Sequence, residues 1–311
     1  MVAWIFPGQG SQYVGMGRTF CEESAQLKEF LGISGRMLGF DLLTMMLEGP
    51  ERELTLTQNA QPAILSLSVA LSDFLGEVGA KPDIVAGLSL GEFTALTIAG
   101  SLEYADALRL VRMRGMAMQD TIPPGKGSMA AIIGLQDEVV ERICSETSSS
   151  EEVIVANYNC PGQVVVSGLT EKVKVVMESC KREGAKRCVE LSVSAPFHSR
   201  FLQPVGEILR EFLDGVKVSP PKIPVVSNVT GDLFPEDPNE IKELLISQTY
   251  CPVRWEQSIR RMIQLGVDKF IEVGPGKVLS GFMKKIDRSV TVNNTDSESL
   301  EALRGFQEIA N

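Results

Sequence analysis

The sequence predicts an α/β fold in two unequal parts. A large α/β-hydrolase-like subdomain takes residues 1–126 and 195–311, and a small ferredoxin-like subdomain is inserted at 127–194. Three observations predict it. Gly87-Leu88-Ser89-Leu90-Gly91 lies between a strand-like run (Ile84 to Ala86) and a helix-like run (Phe93 to Ala99), the strand–turn–helix unit of hydrolase-like sheets. Between Met129 and Val193 the pattern reads strand, helix, strand, strand, helix, strand. After Ser194-Ala195-Pro196 an α/β alternation resumes.

Each element has a local reason. Val2 to Phe6 is an apolar strand that stops at Pro7-Gly8. Helical patterns follow to about Gly79, one of them from Ala60 to Leu75 with Pro62 near its start, where a missing N–H costs little. Beyond the Ser89 unit, a helix runs from about Tyr104 to Gln119 and is broken by Thr121 to Ser128, which contains Pro-Pro-Gly. The insertion then reads as a strand (Met129 to Gly134), a helix (Asp137 to Ser145), two strands (Val153 to Asn157, Gln163 to Ser167), a helix from Thr170 to Gly184 and a strand from Cys188 to Val193. Thr170 is the expected cap of that helix and Gly184 its stop. A helix near Leu202 to Phe212, a strand Val225 to Asn228, helices Glu240 to Gln248 and Trp255 to Leu265, a strand Phe270 to Val273 and a last helix complete the large part. The polar tail from Thr291 is expected to pack poorly.

Bulk properties exclude several classes. The 311 residues, 44% of them hydrophobic, are enough for a substantial core. A formal net charge of -10 argues against nucleic acid as partner, because phosphate binding needs a basic face. The six cysteines have no metal-type spacing and there is one histidine, so neither a metal nor a cofactor is expected. No signal peptide or membrane-length apolar run is evident. A cytoplasmic monomer with free thiols is the expectation.

The chemistry centres on two residues. A G-x-S-x-G elbow exposes a serine hydroxyl beside helix N–H groups, which makes Ser89 a nucleophile candidate; an ordinary helix N-cap is the alternative. If an imidazole of this chain activates Ser89, it is His198, the single histidine. No Asp or Glu stands out as a third member, and a backbone carbonyl is an alternative orienting group.

Six segments then occur in one order: Phe6-Pro7-Gly8-Gln9-Gly10-Ser11-Gln12, Gly87 to Glu92, Met113-Arg114-Gly115, Asn157 to Gln163, Pro196-Phe197-His198-Ser199 and Glu272-Val273-Gly274-Pro275-Gly276-Lys277. With the insertion between serine and histidine, the chain from Val2 to about Lys285 resembles malonyl-CoA:acyl-carrier-protein transacylases of type II fatty acid synthesis. The resemblance implies a ping-pong acyltransferase. Malonyl-CoA would load Ser89 as an ester, the phosphopantetheine thiol of acyl carrier protein would collect it, and His198 would be base and then acid.

It also implies the remaining site residues. The Leu90 and Gln9 backbone N–H groups would form the oxyanion hole, Leu90 at a helix N-terminus. Arg114 falls on the position that grips the malonyl carboxylate, whereas Arg109 and Arg112 are expected on the surface, solvated or ion-paired. Gln248 lies where the family orients its histidine through a main-chain carbonyl. Gln61, Asn159 and Gln163 match positions along the acyl-thioester channel, with turn and cap roles as their alternatives. Many members carry histidine directly before the nucleophile, and this chain has Leu88. Phe197 matches malonyl-selective polyketide relatives. An acidic carrier would dock on basic groups drawn from Lys181, Arg182, Lys186, Arg187, Lys284, Lys285 and Arg288. A polyketide acyltransferase acting in trans, a serine esterase and a carrier-binding module with a dead site are the competing readings.

Overall fold

The computed structural model describes residues 1–123, 125–193, 195–296 and 298–310, with residues 309 and 310 described by their backbone alone. Pro124 of the expected breaker, Ser194 at the expected end of the insertion, Ser297 and Asn311 lie outside the described residues.

Two separate sheets organise the chain. The first is parallel, five-stranded and ordered β7-β2-β1-β8-β9, with β1 Val2–Phe6, β2 Ile84–Gly87, β7 Val225–Val226, β8 Lys269–Glu272 and β9 Thr291–Asn294. Both faces are covered, as the unbroken apolar run of β1 requires. Val2, Trp4 and Phe6 pack into one core, while Ala3 and Ile5 pack into another on the opposite face with Trp255, Ile259 and Leu279.

The second sheet is antiparallel and ordered β4-β5-β3-β6, from β3 Gly127–Ile133, β4 Val153–Cys160, β5 Gln163–Leu169 and β6 Arg187–Glu190. Helices Asp137–Thr147 and Thr170–Arg182 complete the expected strand-helix-strand-strand-helix-strand order. One face of this sheet packs on those helices through Ile132, Val155 and Val166. The other, with Met129, Ala131 and Val165, turns toward the large part. The outer edge of β4 is stitched to the chain beyond helix Pro238–Gln248: Asn157 forms a parallel bridge with Val253, Tyr158 N–H donates to the Val253 carbonyl at 2.9 Å, and Val253 N–H donates to that of Ala156 at 2.8 Å.

Several expectations need correction. The segment from Thr291 is not loose: β9 pairs in parallel with β8, Thr295 is fully buried, and Leu303 packs into the main core. Its polar residues reflect a half-buried edge strand rather than a free tail. Thr170 is the first helical residue, not the cap; its hydroxyl donates to the Gly125 carbonyl at 2.9 Å. The strand at Val225 ends after two residues, which releases Asn228 for another task.

The helix expected from Ala60 begins at Thr57, so Pro62 lies inside it. Proline leaves the carbonyl four residues earlier without its helical donor. Here that carbonyl is Gln58, and the Arg112 guanidinium supplies the donor at 2.6 Å. Arg112 also bonds Asn59 Oδ1 and stacks on Phe40 at 4.7 Å; it stays partly exposed, and no ion pair holds it among the described residues. Arg109 does lie exposed, 3.7 Å from Asp106. Helix Tyr104–Asp120, which carries these arginines, comes very close to the start of Thr57–Glu77. A Cβ added to Gly115 would meet Gln58 Cα at 2.7 Å.

Candidate active site

The site grows from the turn between β2 and helix Leu90–Ile98. Ser89 sits at φ 52 and ψ -103, a conformation non-glycine residues avoid. Its flanking glycines make the turn possible by allowing backbone to touch backbone. A Cβ on Gly87 would fall 1.8 Å from the Gly91 carbonyl carbon, and one on Gly91 would fall 2.1 Å from the Phe6 oxygen. Asn228 brackets the strained residue, accepting from Ser89 N–H at 2.7 Å and donating through Nδ2 to the Gly87 carbonyl at 2.7 Å.

Ser89 Oγ lies 2.8 Å from His198 Nε2. His198 is 3% exposed and also has positive φ, 56°. Its Nδ1 is 2.8 Å from the Gln248 main-chain oxygen. A carbonyl can only accept, so Nδ1 carries the proton and Nε2 is free to accept from the Ser89 hydroxyl. Burial, then the Arg114 charge, push the imidazole pKa down to about 3, against hydrogen bonds to the Gln248 and Cys251 main chain. The ring is therefore neutral at rest, as a base must be.

Arg114 is the third member of the cluster. It is 1% exposed, and its Nη1 donates to Gln61 Oε1 at 3.0 Å. Nη2 donates to Gln248 Oε1 at 2.9 Å and reaches Ser89 Oγ at 3.4 Å. The guanidinium lies 5.2 Å over the Phe93 ring. Burial lowers its pKa to about 10, with Glu92 opposing, so it remains a cation at neutral pH. No carboxylate lies within ion-pair distance of it among the described residues. Nε has no hydrogen-bond partner among them either.

A cavity of about 390 Å³ opens over these groups. Gln9 and Leu90 line it beside Ser89, and neither backbone N–H is taken by an acceptor among the described residues. The next amides of the helix are already bonded, Gly91 to Leu88 and Glu92 to Ser89. Gln61, Asn159, Gln163, Leu88 and Phe197 also line the cavity. All six expected site residues therefore meet at one place. Gln163 accepts from Lys285 at 2.9 Å, which brings one expected docking lysine to the rim. Arg182 instead lines a separate hollow between the helices of the small part.

The sequence did not single out Glu92 and Asn228 as site residues. Glu92 has no exposed surface; its Oε1 accepts from Asn228 N–H at 2.9 Å and its Oε2 from Gln248 Nε2 at 2.6 Å. Burial raises its pKa to about 7, against those donors, the Arg114 charge and Ser227. A readable signal exists: Glu92 is the one charged residue of helix Leu90–Ile98, in which Leu90 to Leu96 are all buried.

The family model described as acyl transferase domain matches residues 3–301. The malonyl CoA-acyl carrier protein transacylase of Bacillus subtilis (strain 168) is 44% identical over 302 residues, covering 96% of this chain and 95% of that protein. Among solved structures, an acyl carrier protein S-malonyltransferase from Vibrio cholerae superimposes with a TM-score of 0.93 at 40% identity, covering 97% of this chain and 99% of the other. A malonyl-transacylase solved in complex with a type II PKS acyl-carrier protein gives 0.95 at 37% identity, covering 100% and 99%.

Proposed function

Since the chain belongs to the acyl transferase domain family and is an acyltransferase, we propose that it moves malonyl groups from malonyl-CoA to the phosphopantetheine thiol of acyl carrier protein through a malonyl-Ser89 ester, in fatty acid synthesis. The observation that carries this reading is a buried arginine with no carboxylate at ion-pair distance among the described residues, within 3.4 Å of a serine hydroxyl that also meets a neutral histidine. A free carboxylate on the acyl group is the charge such a cation would select.

In the first half reaction Ser89 Oγ attacks the thioester carbon while His198 Nε2 takes its proton. The carbonyl oxygen becomes an oxyanion, held by the Gln9 and Leu90 N–H groups. The C–S bond then breaks, and the proton on His198 goes to the departing CoA sulfur. The second half reverses these steps with the carrier thiol as nucleophile, deprotonated by His198, and Ser89 as leaving group. The Gln248 carbonyl stabilises the transient imidazolium in place of an acidic third residue. We read the parallel part (1–126, 195–311) as α/β-hydrolase-like and the insertion (127–194) as ferredoxin-like.

The acidic carrier docks at the rim near Lys285. Charge reversal there slows transfer to the carrier and spares Ser89 loading; equal loss of both steps would count against it. A polyketide carrier is the second reading, favoured by the likeness to the complexed malonyl-transacylase. Competition between the two carriers separates them.

The direct test is intact-protein mass spectrometry with malonyl-CoA or acetyl-CoA and no carrier. A malonyl adduct on the wild type, absent from Ser89→Ala and weak with acetyl-CoA, is expected. CoA release without an adduct would point to a hydrolase, and no reaction at all to a binding module.

A further inference from the structure

We propose that Glu92 is the positioning residue of this site, holding the nucleophile's backbone through Asn228 and the carboxylate-binding face of Arg114 through Gln248. The inference rests on the malonyl-transfer reading and deepens it. An ionised carboxylate only accepts, and both oxygens of Glu92 are committed: Oε1 to Asn228 N–H, Oε2 to Gln248 Nε2. No solvent reaches it to substitute.

The consequence for Gln248 is directional. Its Nε2 faces two acceptors, Glu92 Oε2 at 2.6 Å and the Ser89 carbonyl at 2.7 Å. The amide oxygen must then face the other way, where it accepts from Arg114 at 2.9 Å. A flipped amide would set oxygen against oxygen and NH2 against guanidinium. Glu92 thus presents Arg114 with a neutral ligand on one side, as Gln61 does on the other. In its ionised form the carboxylate stands one amide away from the guanidinium, placed so that it does not occupy it. A carboxylate in direct contact would close the clamp to substrate.

The other oxygen works on Ser89. By fixing the Asn228 main chain, it fixes the side chain that bonds Ser89 N–H and the Gly87 carbonyl, on either side of the strained elbow. One acid therefore ties nucleophile placement to acyl-group selection.

The test compares kcat/KM for malonyl-CoA and acetyl-CoA in wild type, Glu92→Gln and Glu92→Asp, with thermal unfolding as the check on folding. Glutamine offers one acceptor atom where two are used, so a donor of Asn228 or Gln248 is left facing an NH2. The malonyl-to-acetyl ratio is expected to fall on the order of tenfold in Glu92→Gln, since an unmatched buried donor costs about a tenfold factor or more. Aspartate keeps both oxygens but draws them back, so the same change is expected at smaller size. In a Gln248→Ala background the Glu92→Gln effect on the ratio should vanish, because no amide remains to be turned. An equal loss for both acyl groups, an unchanged or raised ratio, or the same fall without Gln248 would overturn the proposal. So would failure of both Glu92 variants to fold, which would assign the residue to the fold alone. Failure of the underlying reading would show separately, as a wild type that malonyl-CoA does not load.

Discussion

Ser89 and His198 both hold positive φ, 52° and 56°, and their side chains meet at 2.8 Å. The two partners of the proposed proton transfer are thus also two places where the backbone is held in an unfavourable region. Asn228 and the flanking glycines hold the first; the Gln248 carbonyl holds the imidazole of the second.

Relief of strain at position 89 is measurable. Ser89→Ala removes the hydroxyl and keeps the unfavourable φ, whereas Ser89→Gly removes both. The glycine variant is expected to be more stable than the alanine variant by about 1 kcal/mol, the strain of a poorly populated φ/ψ region less the entropy cost of glycine. Neither should form an adduct. Urea unfolding of the pair checks the difference, and an alanine variant as stable as the glycine one would show the turn to be unstrained.

At Arg114, charge alone should not suffice. The guanidinium binds two amide oxygens and stacks on Phe93 at once, and an ammonium cannot reproduce that fork. Arg114→Lys is expected to lower malonyl loading on the order of 100-fold, with acetyl loading much less affected. Stopped-flow release of CoA from each thioester would read both. Retention of malonyl preference in the lysine variant would argue against a bidentate grip.

Gly115 offers a way to move Arg114 without touching it. A methyl group there meets the Gln58 backbone, so Gly115→Ala must push the two helices apart. The expected cost is about 1–3 kcal/mol of stability, as for other overpacked contacts, together with weakened malonyl preference. Chemical denaturation and the malonyl-to-acetyl loading ratio test the two parts independently.

Stability should depend on pH through two buried groups with opposite signs. Glu92 has its pKa raised from 4.5 to about 7, so between those values the folded chain holds more protons than the unfolded one. Its contribution is full below pH 4.5 and is lost as pH rises to 7. His198 has its pKa lowered from 6.5 to about 3, so its contribution is full above pH 6.5 and is lost as pH falls toward 3. Between pH 4.5 and 6.5 the two slopes oppose. Relative to Glu92→Gln, the wild type is expected to lose stability on the order of 3 kcal/mol as pH rises from 4.5 to 7. Relative to His198→Ala, it should lose stability as pH falls below 6.5. Denaturation midpoints across this range that run parallel in wild type and variants would contradict both signs.

Much of this site was legible because its chemistry is locally written. The elbow needs glycines at 87 and 91, and a chain with one histidine leaves no choice of imidazole. The resemblance then placed Arg114, Gln248, Gln9 and Leu90, and geometry brought them together. Glu92 and Asn228 escaped because their meaning lies in a partner 136 positions away; locally they read as a first-turn acid and a residue near a strand end. The edge strand at Thr291 escaped for a related reason. Polar residues half covered by one parallel neighbour look, in sequence, like residues covered by none.

The seam between Asn157 and Val253 has a mechanical meaning. Asn157 and Asn159 line the cavity, and Val253 lies five residues beyond the carbonyl that holds His198 Nδ1. A tilt of the small sheet would pull, through this seam, on the segment that carries the carbonyl on His198 Nδ1. The bore of the cavity and the aim of the imidazole thus share one backbone tether.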